Sequence, residues 1–163
     1  MKIIYYCYGG THSSVLAAAI HTGQLKGDQI PNKKEINSLF LYDKVEQKQL
    51  GRPFFYGKDE FGNLVYVLGL GAKKSLLKEF LLDYLKLFEI NSKDIFLVSA
   101  YPYVNYLTKL GGILSRRLGL VSLGRPIVTY TLQKLYPEYN KLVTEVKAKL
   151  KNIKKDETPV DFS

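Results

Sequence analysis

The sequence predicts a single three-layer α/β domain: a mostly parallel sheet with helices on both faces and a β-hairpin at one edge. Three observations lead there. Short apolar runs rich in β-formers, residues 3–7, 95–99 and 126–129, read as strands buried on both faces. They alternate with stretches of helical periodicity. Such alternation is the pattern of parallel strands joined by helices that cover the sheet.

In chain order, Ile3-Ile4-Tyr5-Tyr6-Cys7 forms the first strand and residues 8–14 a glycine-rich turn. The Ala-rich segment 15–21 follows as a helix, with Ser13 or Ser14 placed to cap it. Gly23, Gly27 and Pro31 then break the chain, and short helices are expected at about 32–39 and 43–50. Residues 53–57 and 64–68 are β-rich and flank Lys58-Asp59-Glu60-Phe61-Gly62-Asn63, whose turn formers make them an edge hairpin.

Leu77, Phe80, Leu81, Tyr84, Leu85 and Phe88 keep i, i+3, i+4, i+7 spacing and predict one buried helical stripe ending at Asn91. After the strand at 95–99, a helix is expected over 103–118 with Gly111-Gly112 inside it. Pro126-Ile127-Val128-Thr129, opened by Gly124-Arg125, reads as the last strand. The final helix, 132–151, carries Leu135, Tyr139, Leu142, Val143, Val146 and Leu150 on one face, with Pro137 kinking or dividing it. The domain is expected to span 1–151 and residues 152–163 to form a polar tail.

Composition narrows the function classes. A length of 163 residues suits one domain, and 46% hydrophobic with 24% charged residues excludes disorder. The single cysteine excludes an internal disulfide and a cysteine metal cluster, so neither a metal nor a cofactor is expected. Gly9-Gly10-Thr11-His12-Ser13-Ser14 interrupts the apolar N-terminus too early for an export signal, and a cytoplasmic protein without membrane contact is expected. The formal charge of +9 favours anionic partners. Much of it lies in Lys141, Lys147, Lys149, Lys151, Lys154 and Lys155.

The turn carries the chemistry. In open α/β sheets ligands bind beyond the carboxyl ends of the strands. A helix beginning there offers unpaired N–H groups and the positive end of its dipole to an anion. Gly9 and Gly10 would let the backbone approach, Thr11, Ser13 and Ser14 would add hydroxyl donors, and His12 a titratable ring. No lysine occupies the turn, which excludes a Walker A loop. Cys7, Gly10, Ser13 and Ser14 fit C-x-x-G-x-x-[ST]-S directly after a strand, which resembles the phosphocysteine loop of sugar-phosphotransferase B components. That resemblance implies a nucleophilic thiol at Cys7. Low-molecular-weight tyrosine phosphatases use a similar turn but need arginine where this chain has Ser13. Read by itself, Cys7 is a small buried residue at a strand end, as cysteine often is.

Arg116, Arg117 and Arg125 are candidates to close over a bound anion, since a guanidinium fork suits phosphate oxygens. A cation at a helix C-terminus is also favourable without any ligand. His21 is expected to cap helix carbonyls. Asp59 and Glu60 read as solvated turn residues, with an acid/base or magnesium role as the sharper alternative.

The stretches 3–14, 57–63 and 111–119 together resemble a family of short bacterial proteins, mainly from spore-forming Gram-positives, known as a domain of unknown function. The resemblance extends to about residue 142 and implies no activity; it joins the turn, the hairpin tip and the Arg pair in one pattern. The function expected from these residues is binding of a phosphorylated small molecule or nucleotide at the turn, with phosphoryl transfer through Cys7 or His12 as the chemistry that would follow. The alternatives are a nucleic-acid-binding module using the Lys-rich helix, and a non-enzymatic partner-binding protein.

Overall fold

In the computed structural model of the chain, residues 1–72, 74–89, 94–101 and 121–153 are described. Strand β1 (Lys2–Cys7) lies inside a four-stranded sheet because both of its faces are apolar. It pairs in parallel with β3 (Leu64–Gly69) on one side and β4 (Ile95–Ser99) on the other. Strand β2 (Phe54–Lys58) runs antiparallel to β3 at the sheet edge, with a bulge between Phe55 and Gly57, as the hairpin signals predict.

Alternation along β1 divides the core in two. Ile3, Tyr5 and Cys7 face the larger cluster, built on α1 (Ser13–His21), α2 (Lys33–Ser38), α4 (Val121–Lys134) and α5 (Tyr136–Ile153). Ile4 and Tyr6 face a smaller cluster with Leu68 and Leu97, covered by Leu81 and Leu82 of α3 (Lys74–Leu87). Helices therefore lie on both faces, and the three-layer α/β reading holds. Every residue of α1 is buried, which the small Ala17-Ala18-Ala19 core makes possible between sheet and α5.

Several expectations need correction. Residues 126–129 are not a strand: they lie within α4, with Pro126 inside the helix. Val128 and Leu132, four apart, are fully buried, and Thr129 and Thr131 lie beside them. Helical packing of that face prevails over the lost N–H of Pro126 and over β-propensity. The expected last helix is divided just ahead of Pro137, which sits in the first turn of α5 where its missing N–H costs nothing. Tyr139, Val143, Val146 and Leu150 form its buried face. Helix α5 also runs to Ile153, two residues into the expected tail.

The stripe predicted on α3 is only partly right. Leu85 is buried and Leu81 and Leu82 half-buried, but Phe80, Tyr84 and Phe88 are exposed and stack on one another, Tyr84 and Phe88 at 4.4 Å. The segment expected around 43–50 as a helix is reduced to a 3₁₀ turn at Gln47–Gln49. The end at Asn91, the helix over 103–118 with its paired glycines, and residues 154–163 lie outside the described residues.

Candidate functional site: the turn after the first strand

The turn begins where β1 ends, at the carboxyl edge of the parallel strands. It rests on the end of β3: the Leu70 N–H donates to the Cys7 carbonyl and the Gly71 N–H to that of Tyr8, both at 2.9 Å. Gly10 has φ +65, and a Cβ there would lie 2.6 Å from the Gly69 nitrogen. Its missing side chain is therefore required by the contact of two backbones within the protein. Gly69 is constrained reciprocally, since its own Cβ would meet Gly9 backbone at 2.8 Å.

Cys7 is buried, and its Sγ accepts a hydrogen bond from the Gly10 N–H at 3.2 Å and shares another with Ser14 Oγ at 3.2 Å. Burial shields the sulfur from reagents. Thr11 is spent on structure: its hydroxyl donates to the Leu41 carbonyl at 2.7 Å and receives the Val45 N–H at 3.5 Å. The first helical residue is Ser13, not Val15, and the N-cap is His12, not a serine. The His12 side chain makes no capping bond to the start of α1. Among the described residues the Ser13 hydroxyl also has no hydrogen-bond partner, although Ser13 is buried as a residue.

His12 Nε2 lies 2.6 Å from Asp43 Oδ1, and Arg125 Nε lies 2.8 Å from the other carboxylate oxygen. The structure thus brings Arg125, expected at the head of a strand, to the turn from the first half of α4. Burial alone would raise the Asp43 pKa, but hydrogen bonds and charge from His12 and Arg125 hold it at about 2. The carboxylate is ionised at neutral pH. It stands on strained backbone: Leu41 and Asp43 have φ 68 and 56, a region that non-glycine residues enter at a cost of about 1–3 kcal/mol each. Tyr42 between them packs its ring edge-on to His12, with centroids 5.2 Å apart, and donates to Thr129 Oγ1 at 2.9 Å. Thr129 in turn donates to Asn37 Oδ1 at 2.9 Å. Asp43, Tyr42 and Thr129 are the site residues that the sequence conceals. Asp43 is 31 positions from His12, and no local motif signals it.

The remaining candidates fall elsewhere. Arg116 and Arg117 are outside the described residues. His21 does not cap carbonyls: it is fully buried, with Nδ1 accepting from Tyr5 OH at 2.7 Å and Nε2 donating to Asp59 at 3.2 Å. Asp59 is not solvated either. Its carboxylate also binds the N–H groups of Phe61 and Asn63 and the Asn63 amide, at 2.7–2.9 Å. Glu60 pairs with Lys147 at 2.8 Å, and Lys151 lies over the Phe61 ring at 5.4 Å, so two lysines of the basic helix brace the hairpin tip. Lys154 and Lys155 are outside the described residues.

An open depression of about 560 Å³ lies away from the turn, at the opposite end of α1, between Gly23, Lys26, Gly27, Asn140, Thr144 and Lys147. Among the described residues no three His, Cys, Asp or Glu side chains converge as metal ligands. No helix among them is long and apolar enough to cross a membrane.

No curated protein and no solved structure matches the chain. A family model does, over residues 2–148, and it takes in the turn, Asp43, the hairpin and Arg125. The chain belongs to the family described as Protein of unknown function (DUF3189).

Proposed function

We propose that the chain binds a phosphate-bearing small molecule, a nucleotide or a sugar phosphate, at the start of α1. The observation that carries this reading is the helix start itself: it lies at the carboxyl edge of the parallel strands, and its N-cap residue, His12, makes no side-chain capping bond. Its N–H groups and the Ser13 hydroxyl are the donors for phosphate oxygens. Arg125, beside His12 and Asp43, supplies the opposing charge; Arg116 and Arg117 lie outside the described residues. Phosphoryl transfer is the reaction such a site would serve, through Cys7 or His12. His12 is the better placed for proton transfer, because it already has a carboxylate partner; both it and Cys7 are buried.

The test is a thermal-shift screen of nucleotides and sugar phosphates against the wild type, Ser13→Ala and Arg125→Gln. A ligand present at a hundred times its Kd stabilises by about 2.7 kcal/mol, enough for a clear rise in Tm. The expected result is a rise in the wild type that is reduced in both variants. An equal rise in all three proteins would place the ligand elsewhere, and the depression beside Lys26 and Lys147 would be the next site to probe. Mass spectrometry after incubation with a phosphoryl donor addresses covalent chemistry: phosphate on Cys7 would assign it the nucleophile's role.

A further inference from the structure

The geometry points to Asp43 as the positioning residue of this site, holding His12 as the Nε2–H tautomer, with Nδ1 as proton acceptor, and aiming Arg125 at a phosphate monoester. The inference rests on the anion-binding reading of the turn and extends it to an acid/base assignment.

An ionised carboxylate can only accept hydrogen bonds, so the 2.6 Å contact between Asp43 Oδ1 and His12 Nε2 requires the hydrogen to be on Nε2. In the neutral ring Nδ1 is then bare. Among the described residues nothing else binds the His12 ring through a hydrogen bond, so Nδ1 is available for a proton. If a hydroxyl or water attacks the phosphorus of a bound phosphate monoester, its oxygen bonds to phosphorus as the P–O bond to the ester oxygen breaks; the proton of the attacking group passes to Nδ1 and the leaving alkoxide takes a proton from solvent. The imidazolium formed is stabilised by the Asp43 charge through Nε2.

The other carboxylate oxygen performs a matching task. It takes Arg125 by Nε at 2.8 Å, and among the described residues the two terminal guanidinium nitrogens have no partner. Those nitrogens form the fork that matches two oxygens of a phosphate. The Arg125 side chain is 44% exposed whereas that of Asp43 is 3% exposed, so the carboxylate is a buried anchor with an accessible cation in front of it.

The backbone around Asp43 is fixed from both sides. Thr11 clamps Leu41 and Val45 to the turn, and Tyr42 is tied to Thr129 of α4. Two left-handed non-glycine residues, Leu41 and Asp43, persist within this clamp. A loop serving only as a connection has no need of that strain, and clamped strain of this kind is characteristic of groups held in one geometry.

The chain has two histidines, so nitrogen-15 correlation spectra of the imidazoles resolve into two patterns, assigned with His12→Asn. In the wild type His12 is expected to show a protonated Nε2 and a bare Nδ1. In Asp43→Asn that tautomer should lose its dominance, because an amide can donate as well as accept. Inorganic phosphate is then titrated while the His12 and Arg125 side-chain signals are followed. Binding should weaken about tenfold in Asp43→Asn and in Arg125→Gln, the loss of one charge-assisted contact. Only Asp43→Asn should alter the tautomer. His21, in its separate network, reports in the same spectrum that each variant is folded. A wild-type His12 protonated on Nδ1, or an unchanged tautomer in Asp43→Asn, overturns the positioning role. Tautomers as expected with no phosphate response from His12 or Arg125 would instead defeat the anion-binding reading and leave Asp43 orienting a ring without a ligand.

Discussion

Helix α1 has a histidine–aspartate pair at each end, and the two pairs are built for different purposes. At its C-terminus the side chains of His21 and Asp59 are both fully buried, and both ring nitrogens of His21 are bonded to buried groups. At its N-terminus His12 and Asp43 lie at the sheet edge that receives ligands in this class of fold, with an exposed arginine completing the group. The same two side chains form a sealed brace in one place and, in the other, a buried pair fronted by an exposed arginine, the proposed acid/base group. The difference lies in what the free ring nitrogen meets. At His21 Nδ1 is occupied by Tyr5, whereas at His12 no described residue occupies it.

The contrast predicts unequal costs of removing the carboxylates. Asp59→Ala deprives His21, two backbone N–H groups and the Asn63 amide of an acceptor at once. Breaking a buried charged network by removing one partner typically costs about 3–5 kcal/mol. Asp43→Asn keeps the shape, suits the left-handed backbone and leaves Arg125 free to reach water, so about 1 kcal/mol is expected. Urea denaturation of both variants checks this. Equal losses would erase the distinction between brace and site.

Next in size is Gly10→Ala. Its Cβ would sit 2.6 Å from the Gly69 nitrogen on backbone of φ +65, and about 2–3 kcal/mol of destabilisation is expected. Gly62→Ala serves as the control. It has φ +78 but nothing within 4 Å of the new Cβ, so only the backbone penalty of about 1 kcal/mol applies. Equal effects would show that the close approach of turn and β3 is unimportant.

The two pairs should also separate by pH. Burial pushes the His21 pKa down, against the raising influence of Asp59, so the folded protein keeps His21 neutral where the unfolded chain protonates it. Protonation would force Nδ1 to donate to Tyr5 and would leave the phenolic hydrogen without its acceptor. A depressed histidine pKa gives stability that is present above the unfolded value of about 6.5 and is lost as pH falls below it. The slope from this one group is at most about 1.4 kcal/mol per pH unit. Asp43, held at about 2, keeps its charge throughout that window. Denaturation midpoints between pH 7 and 4.5 should therefore fall, and the His21→Gln variant should lose the part of the slope that comes from this site. An unchanged slope in that variant would refute the assignment.

Much of this was legible in the residues. The β1 run, the hairpin and the Tyr139–Leu150 face each carry a local period, and local period is what burial against a neighbour requires. Residues 126–129 misled because three β-branched residues after Pro126 look the same on a strand as on one turn of a buried helix; only the neighbours at Leu132 and Tyr42 decide. At the turn, the glycines, hydroxyls and His12 could be found because they are contiguous. Asp43 could not: it reaches His12 through a loop whose shape depends on Thr11 and Thr129, and no spacing rule encodes a left-handed residue clamped from two sides. For the same reason Asp59 looked like a solvated turn residue. A turn sequence shows where the chain reverses, not that a histidine from another element waits beneath it.

The smallest expected effect on stability is the most informative about function. Arg125→Gln removes a half-exposed guanidinium whose bond to Asp43 is worth well under 1 kcal/mol once solvent screening is allowed for. Helix α4 should keep its place, because Val128 and Leu132 carry its packing. A denaturation curve nearly superimposable on the wild type is therefore expected, within about 0.5 kcal/mol. A larger loss would mean that Arg125 braces the loop as Asp59 braces the hairpin, and the two ends of α1 would then be alike. If stability is kept while the phosphate response falls, the guanidinium is present for a ligand, because the fold has no use for it.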